Sequence, residues 1–113
     1  MRAHTDKVVC ITNASDIGLQ LAQKFAQDGA RIVISAPDAD GLERAHHELT
    51  SRGVDGVDVL AYPCDASEPS SVRELLRMAV RWFGRVDVLV NVWPGGPAGR
   101  DVIDVLEKPV LTA

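Results

Sequence analysis

The chain has 113 residues, 46% of them hydrophobic and 25% charged, with a formal net charge of -4. That length suits a single domain burying roughly two-thirds of its unfolded surface. The acidic balance and scattered basic residues exclude a broad nucleic-acid or anionic-membrane surface, and no segment approaches bilayer-spanning length. The start, Met1 to Asp6, carries no apolar stretch of signal-peptide type, so a cytoplasmic address is expected.

The elements follow a repeating order. Val8 to Ile11 is an apolar run of strand length, followed by a helix over 17–28 whose Leu21, Ala22, Phe25 and Ala26 share one face and which Gly29 ends. Arg31 to Ser35 forms a second strand. Leu42, Ala45 and Leu49 stripe a helix that begins near Asp38 or Asp40 and stops at Gly53. Val57 to Tyr62 is the third strand. Ser67 and Pro69 then open a helix carrying Val72, Leu75, Leu76 and Ala79, with Trp82 or Phe83 completing its apolar face and Gly84 closing it.

Val86 to Val90 is the fourth strand. From Val92 to Gly99 proline and glycine dominate, which predicts a loop; Asp101 to Glu107 has the spacing of a short helix before Pro109, with no strand after it. Near-continuous apolar strands joined by helices demand parallel pairing with both faces covered. The fold class is therefore α/β: one partial Rossmann-like domain over 1–113, strand order 3-2-1-4, ending after the fourth strand with a loop-rich tail over 92–113. An unpaired fourth strand would leave an apolar edge open to self-pairing or to a partner strand.

Chemistry concentrates at the first turn. Thr12-Asn13-Ala14-Ser15-Asp16-Ile17-Gly18 links a strand to a helix, as in a dinucleotide-binding turn that presents helix amides to a pyrophosphate. Cys10 and Cys64 lie on strands separated by a third, about 9–10 Å apart and beyond disulfide reach, so both are expected to be free buried thiols. His46 and His47 are adjacent on a helix and point apart, which does not suit metal ligation.

Up to Gly99 the sequence resembles the N-terminal half of a short-chain dehydrogenase/reductase. The resemblance rests on four stretches in order: the turn over 12–18, Phe25-Ala26-Gln27-Asp28-Gly29-Ala30 leading into Ile32-Val33-Ile34-Ser35, Cys64-Asp65-Ala66, and Val86-Asp87-Val88-Leu89-Val90-Asn91. It implies a nicotinamide dinucleotide, NADP or NAD, held by Thr12, Asn13, Ser15, Asp16, Ile17 and Gly18 at the turn, Asp65 and Ala66 at the adenine, and Asn91 at the ribose.

The departures matter equally. The family turn reads Thr-Gly-x-x-x-Gly-x-Gly, whereas here Asn13 stands for the first glycine and one position is missing between Asp16 and Ile17. Asn13 can still turn the chain with positive φ. Asp16 is either a helix cap or a neighbour of the phosphate, and a carboxylate about 4 Å from a phosphate charge repels it by ~1–4 kcal/mol depending on screening. Asp65 is either an adenine contact or the start of a turn. After strand two, where a charged residue selects between NAD and NADP, stand Ala36 and Pro37, with Asp38 slightly late as a cap.

The resemblance also implies a catalytic serine and a Tyr-x-x-x-Lys pair, in which lysine lowers the tyrosine pKa for proton exchange. The one tyrosine, Tyr62, is followed four residues later by Ala66. No catalytic residue is assigned, and the lone polypeptide is not expected to transfer hydride. Two functions remain: the NAD(P)-binding half of an oxidoreductase, as a fragment or short form, or a non-catalytic remnant that binds protein through an exposed sheet edge.

Overall fold

The computed structural model describes residues 6–93 and 102–112. Its elements are β1 (Val8–Ile11), α1 (Asp16–Gln27), β2 (Arg31–Ile34), α2 (Ala39–Ser51), a 3-10 turn (Gly56–Asp58), β3 (Val59–Ala61), α3 (Pro69–Phe83), β4 (Arg85–Trp93) and β5 (Val102–Thr112). They form one five-stranded sheet in the order β3-β2-β1-β4-β5. β1, β2, β3 and β4 run parallel, as the apolar strands and intervening helices require.

Both faces of the sheet are covered. Val9, Ile11, Ile32, Ile34, Val88, Val90 and Val92 pack on the side of Ala22 of α1 and of Ala45 and Leu49 of α2, while Val8, Cys10, Val33, Val86 and Leu89 pack against Leu75 and Ala79 of α3. Alternation along β1 thus feeds two cores from one strand. Val86 and Val88 fall on opposite faces despite their spacing, because the register breaks between them. The residue in that break is Asp87.

Asp87 is buried. One of its oxygens accepts the Val8 N–H at 2.9 Å, and the other accepts Nε of Arg85 at 2.9 Å and the terminal guanidinium nitrogen of the same arginine. Burial by itself raises this carboxyl, but the Arg85 guanidinium, the Val8 amide and the Lys7 charge outweigh it and hold the group below the ordinary carboxylate range.

Three elements differ from the sequence expectation. The third strand begins at Val59, not Val57: Asp55 accepts the Val57 N–H at 3.1 Å and winds 56–58 into a 3-10 turn that leaves Val57 74% exposed. β4 runs through Val92 to Trp93, so the expected loop does not begin at Val92, and its remaining residues, 94–99, lie outside the described residues. The short helix expected over 101–107 is instead part of β5, which pairs antiparallel with β4 from Val102↔Trp93 to Thr112↔Arg85.

That last difference corrects two expectations, the strand-free tail and the open edge of strand four. Val102, Ile103 and Val105 are β-branched, and the row of hydrogen-bonding groups along β4 offers them a ladder that outweighs helical spacing. The edge has moved outward to β5, where Val102, Ile103, Val105 and Leu106 remain exposed.

Asp87→Asn is expected to lower stability at pH 7 by about 1.5–3 kcal/mol, the usual worth of hydrogen bonds to a charged group. Because the folded-state pKa of Asp87 is depressed, its contribution is complete above the ordinary carboxylate pKa and disappears as pH falls through the folded value. Urea midpoints of the two proteins should therefore differ at pH 7 and converge below roughly pH 4; a difference that is flat with pH contradicts the charged role.

Candidate dinucleotide-binding site

In an open α/β sheet, ligands sit outside the carboxyl ends of the strands, at the point where strand order reverses. Here that point lies between β1 and β4, and the segment leaving β1 is the turn over 12–18. Thr12 is fully buried: its N–H donates to the Val90 carbonyl at 3.0 Å and its Oγ1 accepts the Val92 N–H at 3.0 Å. It is therefore a latch between the two strands that frame the site, not a group facing a ligand. Ala14 donates its N–H to the Ser35 carbonyl at 2.7 Å, tying the turn to the end of β2.

Gly18 is the residue this turn cannot replace. A Cβ built on it would lie 2.1 Å from the backbone oxygen of Asn13, so the chain doubles back against the helix start where only a glycine fits. Asn13 does not make the turn with positive φ as expected; among the described non-glycine residues only Asp6 has one. The shortened loop is closed by this contact instead of by left-handed backbone.

The cap of α1 is Ser15. Its backbone is extended and its Oγ accepts the Gly18 N–H at 3.3 Å, while its carbonyl takes the Leu19 N–H at 2.9 Å. Asp16, read from the sequence as either the cap or a neighbour of the phosphate, is not the cap but the first helical residue, where its carboxylate faces the positive end of the dipole. With Ala14, Gly18 and Leu19 engaged, the amides of Asp16 and Ile17 are the unclaimed donors at this helix start among the described residues. Two amides at a helix N-terminus beside a glycine contact fit a phosphate; the adjoining carboxylate opposes one.

Asp65 follows the turn reading. Its Oδ1 accepts both the N–H of Ser67, at 3.0 Å, and the Ser67 hydroxyl, at 2.6 Å, and those bonds hold its carboxyl below the ordinary range. Its own N–H donates to Ser71 Oγ at 2.9 Å, and Ala66 lies half-buried beside it. Ser67 is thus spent on Asp65 and does not cap α3, which starts at Pro69 after Glu68 with no side-chain cap. Asn91 is half-buried within β4, opposite Asp104 of β5. Asp38 is the cap of α2, its Oδ1 accepting the Gly41 N–H at 2.7 Å.

A cleft of about 480 Å³ between α1 and α2 opens at the turn, lined there by Ala14, Asp16, Gly41 and Arg44. Asp65, Ala66 and Asn91 are not part of its lining. Ser35 was not singled out from the sequence, yet it is buried and donates to the Tyr62 carbonyl at 2.6 Å, joining the ends of β2 and β3. Cys10 and Cys64 are free; burial pushes both thiols up, and the Ser71 and Ser35 hydroxyls offset this only in part at Cys64. Among the described residues, no group of three or more His, Cys, Asp or Glu could hold a metal ion.

Known proteins agree with this geometry. The family model for short chain dehydrogenase matches residues 7–101. A granaticin polyketide synthase putative ketoacyl reductase of Streptomyces violaceoruber is 38% identical over 108 residues, covering 93% of this chain and 39% of that protein. Dehydrogenase/reductase SDR family member 4 of Sus scrofa is 32% identical over 104 residues, covering 91% and 36%. A short chain dehydrogenase from Mycobacterium smegmatis superposes with a TM-score of 0.74 at 31% identity, over 85% of this chain and 40% of its own. A 3-ketoacyl-(acyl-carrier-protein) reductase from Brucella melitensis, solved with NADH, superposes with a TM-score of 0.65 at 35% identity, over 77% and 34%. This chain spans about two-fifths of the length of the first of these relatives, and it belongs to the short chain dehydrogenase family.

Proposed function

We propose that the chain provides the nucleotide-binding half of an NAD(P)-dependent oxidoreductase. The observation that carries this reading is the start of α1, where the amides of Asp16 and Ile17 stand unclaimed at the switch point and Gly18 lets the turn fold close against them. Those two amides would hold the diphosphate, with Thr12, Asn13 and Ser15 shaping the loop. Asp65 and Ala66 would border the adenine, and Asn91 the ribose. When bound, the nicotinamide ring is the hydride carrier. The serine and Tyr-x-x-x-Lys pair that would act on a substrate are not among these residues, so hydride transfer needs groups beyond them. We take the protein to work in the cytoplasm; among the described residues no helix is long and apolar enough to cross a membrane.

A second reading, binding to a partner strand or a second copy, is favoured by one observation. Val102, Ile103, Val105 and Leu106 are each 37–44% exposed on β5, an edge strand of the sheet. Sedimentation separates the cases: Val105→Glu should shift an associating protein toward monomer and leave a monomer unchanged.

Isothermal titration with NADH and NADPH tests the first reading directly. Binding is expected with both or with one, and no heat at millimolar nucleotide removes it. Asp16→Asn should tighten binding about fivefold, the equivalent of ~1 kcal/mol of relieved repulsion in water-like surroundings. Unchanged affinity would place the carboxylate away from the phosphates.

Gly18→Ala tests the turn. Alanine favours a helix interior by ~1 kcal/mol over glycine, but the clash with the Asn13 oxygen decides the sign. A net loss of about 1–3 kcal/mol in chemical unfolding is expected. A stabilised variant would show that the contact is not as close as described.

A further inference from the structure

Three of the chain's twelve basic residues recur along one helix. Arg73, Arg77 and Arg81 recur every fourth residue of α3 and all three are exposed. A rise of 1.5 Å per residue sets neighbours about 6 Å apart along one stripe. Among the described residues none of the three forms an ion pair. Glu74, the only acid on the helix, accepts a hydrogen bond from the Tyr62 hydroxyl at 3.1 Å.

A solvated helix face ordinarily interleaves its signs, as α2 does: Asp40, Arg44 and Glu48 alternate at i,i+4 along it, and Glu48 pairs with Arg52 at 3.4 Å. The arginine stripe does the opposite. Like charges at i,i+4 destabilise a helix, and the two such pairs here are set against Glu74, at i,i+3 to Arg77, and the dipole at Arg81 in the last turn. Arginine is among the residues that anchor interfaces.

We propose that the outer face of α3 docks an acidic segment of a partner protein, with carboxylates repeating at about the 6 Å of an i,i+4 helix. Guanidinium groups pair with carboxylates in a fixed, bidentate geometry, which suits a matched repeat. The charge balance selects carboxylates over nucleic acid. The chain carries -4 with these three arginines included, so the surface around the stripe repels a long polyanion. A short acidic segment meets only the stripe.

The test uses the full chain and two fluorescent peptides of equal net charge, one with glutamates in i,i+4 phase and one with the same residues scrambled, read by anisotropy at low salt. The phased peptide is expected to bind at least fivefold more tightly than the scrambled one. Arg77→Glu should weaken it at least tenfold while keeping the thermal midpoint, since the attractions it creates toward Arg73 and Arg81 offset its repulsion from Glu74. Triple replacement of Arg73, Arg77 and Arg81 by lysine keeps the charge and should retain part of the phased preference. Equal binding of both peptides, binding indifferent to Arg77→Glu, or a single-stranded oligonucleotide of the same charge binding as tightly as the phased peptide would each overturn the proposal.

Discussion

β1 is fastened to β4 at both ends, and the site depends on that. At the start of β1 the buried Asp87 carboxylate takes the Val8 N–H; just past its other end Thr12 gives its N–H to Val90 and receives that of Val92. Between these points the parallel ladder sets Val9, Cys10 and Ile11 against Val88, Leu89 and Val90. The reversal of strand order lies between these two strands, so their register fixes where the first turn emerges and where α1 points. A slip of one residue would exchange the two cores and turn the helix start away from the crevice.

The sheet was legible because each parallel strand is buried on both faces and written in apolar residues, while each helix carries an apolar stripe and a stop. Thus β1 and β2 were visible almost to the residue, and so was the order that places them beside β4 and β3. β5 was hidden because its sequence, Val-Ile-Asp-Val-Leu-Glu, pairs apolar residues in a way that also fits a helix. Only the hydrogen-bonding edge of β4, a feature of the assembled sheet, decides between them. The site was legible as a place and less so as roles: Asp65 and Asp38 are satisfied by neighbours two and three residues on, short-range bonds that compete with any role toward a ligand.

The turn shows how a shortened loop changes the chemistry around it. With one position fewer than the family pattern, the doubling back is achieved by laying the Asn13 carbonyl against Gly18, and Ser15 is drawn into the cap. One amide that a phosphate would otherwise receive, that of Gly18, is thereby occupied from within the protein. Asp16, now at the first helical position, adds a negative charge where the dipole welcomes one. Both changes suit a helix that stands without a ligand, and both lower what a phosphate gains by arriving.

Nucleotide recognition and hydride chemistry draw on different parts of the fold. The turn, the start of α1, the Asp65 turn and Asn91 are held by bonds among residues 6–93, with Thr12, Ser35 and Asp87 fastening the strand ends that carry them. Tyr62 spends its hydroxyl on Glu74, and that bond raises its pKa, opposite to what proton exchange asks of a tyrosine. On the proposed reading, affinity for a dinucleotide is set by two amides weighed against one carboxylate, and substitution at a single position shifts that balance without touching the core.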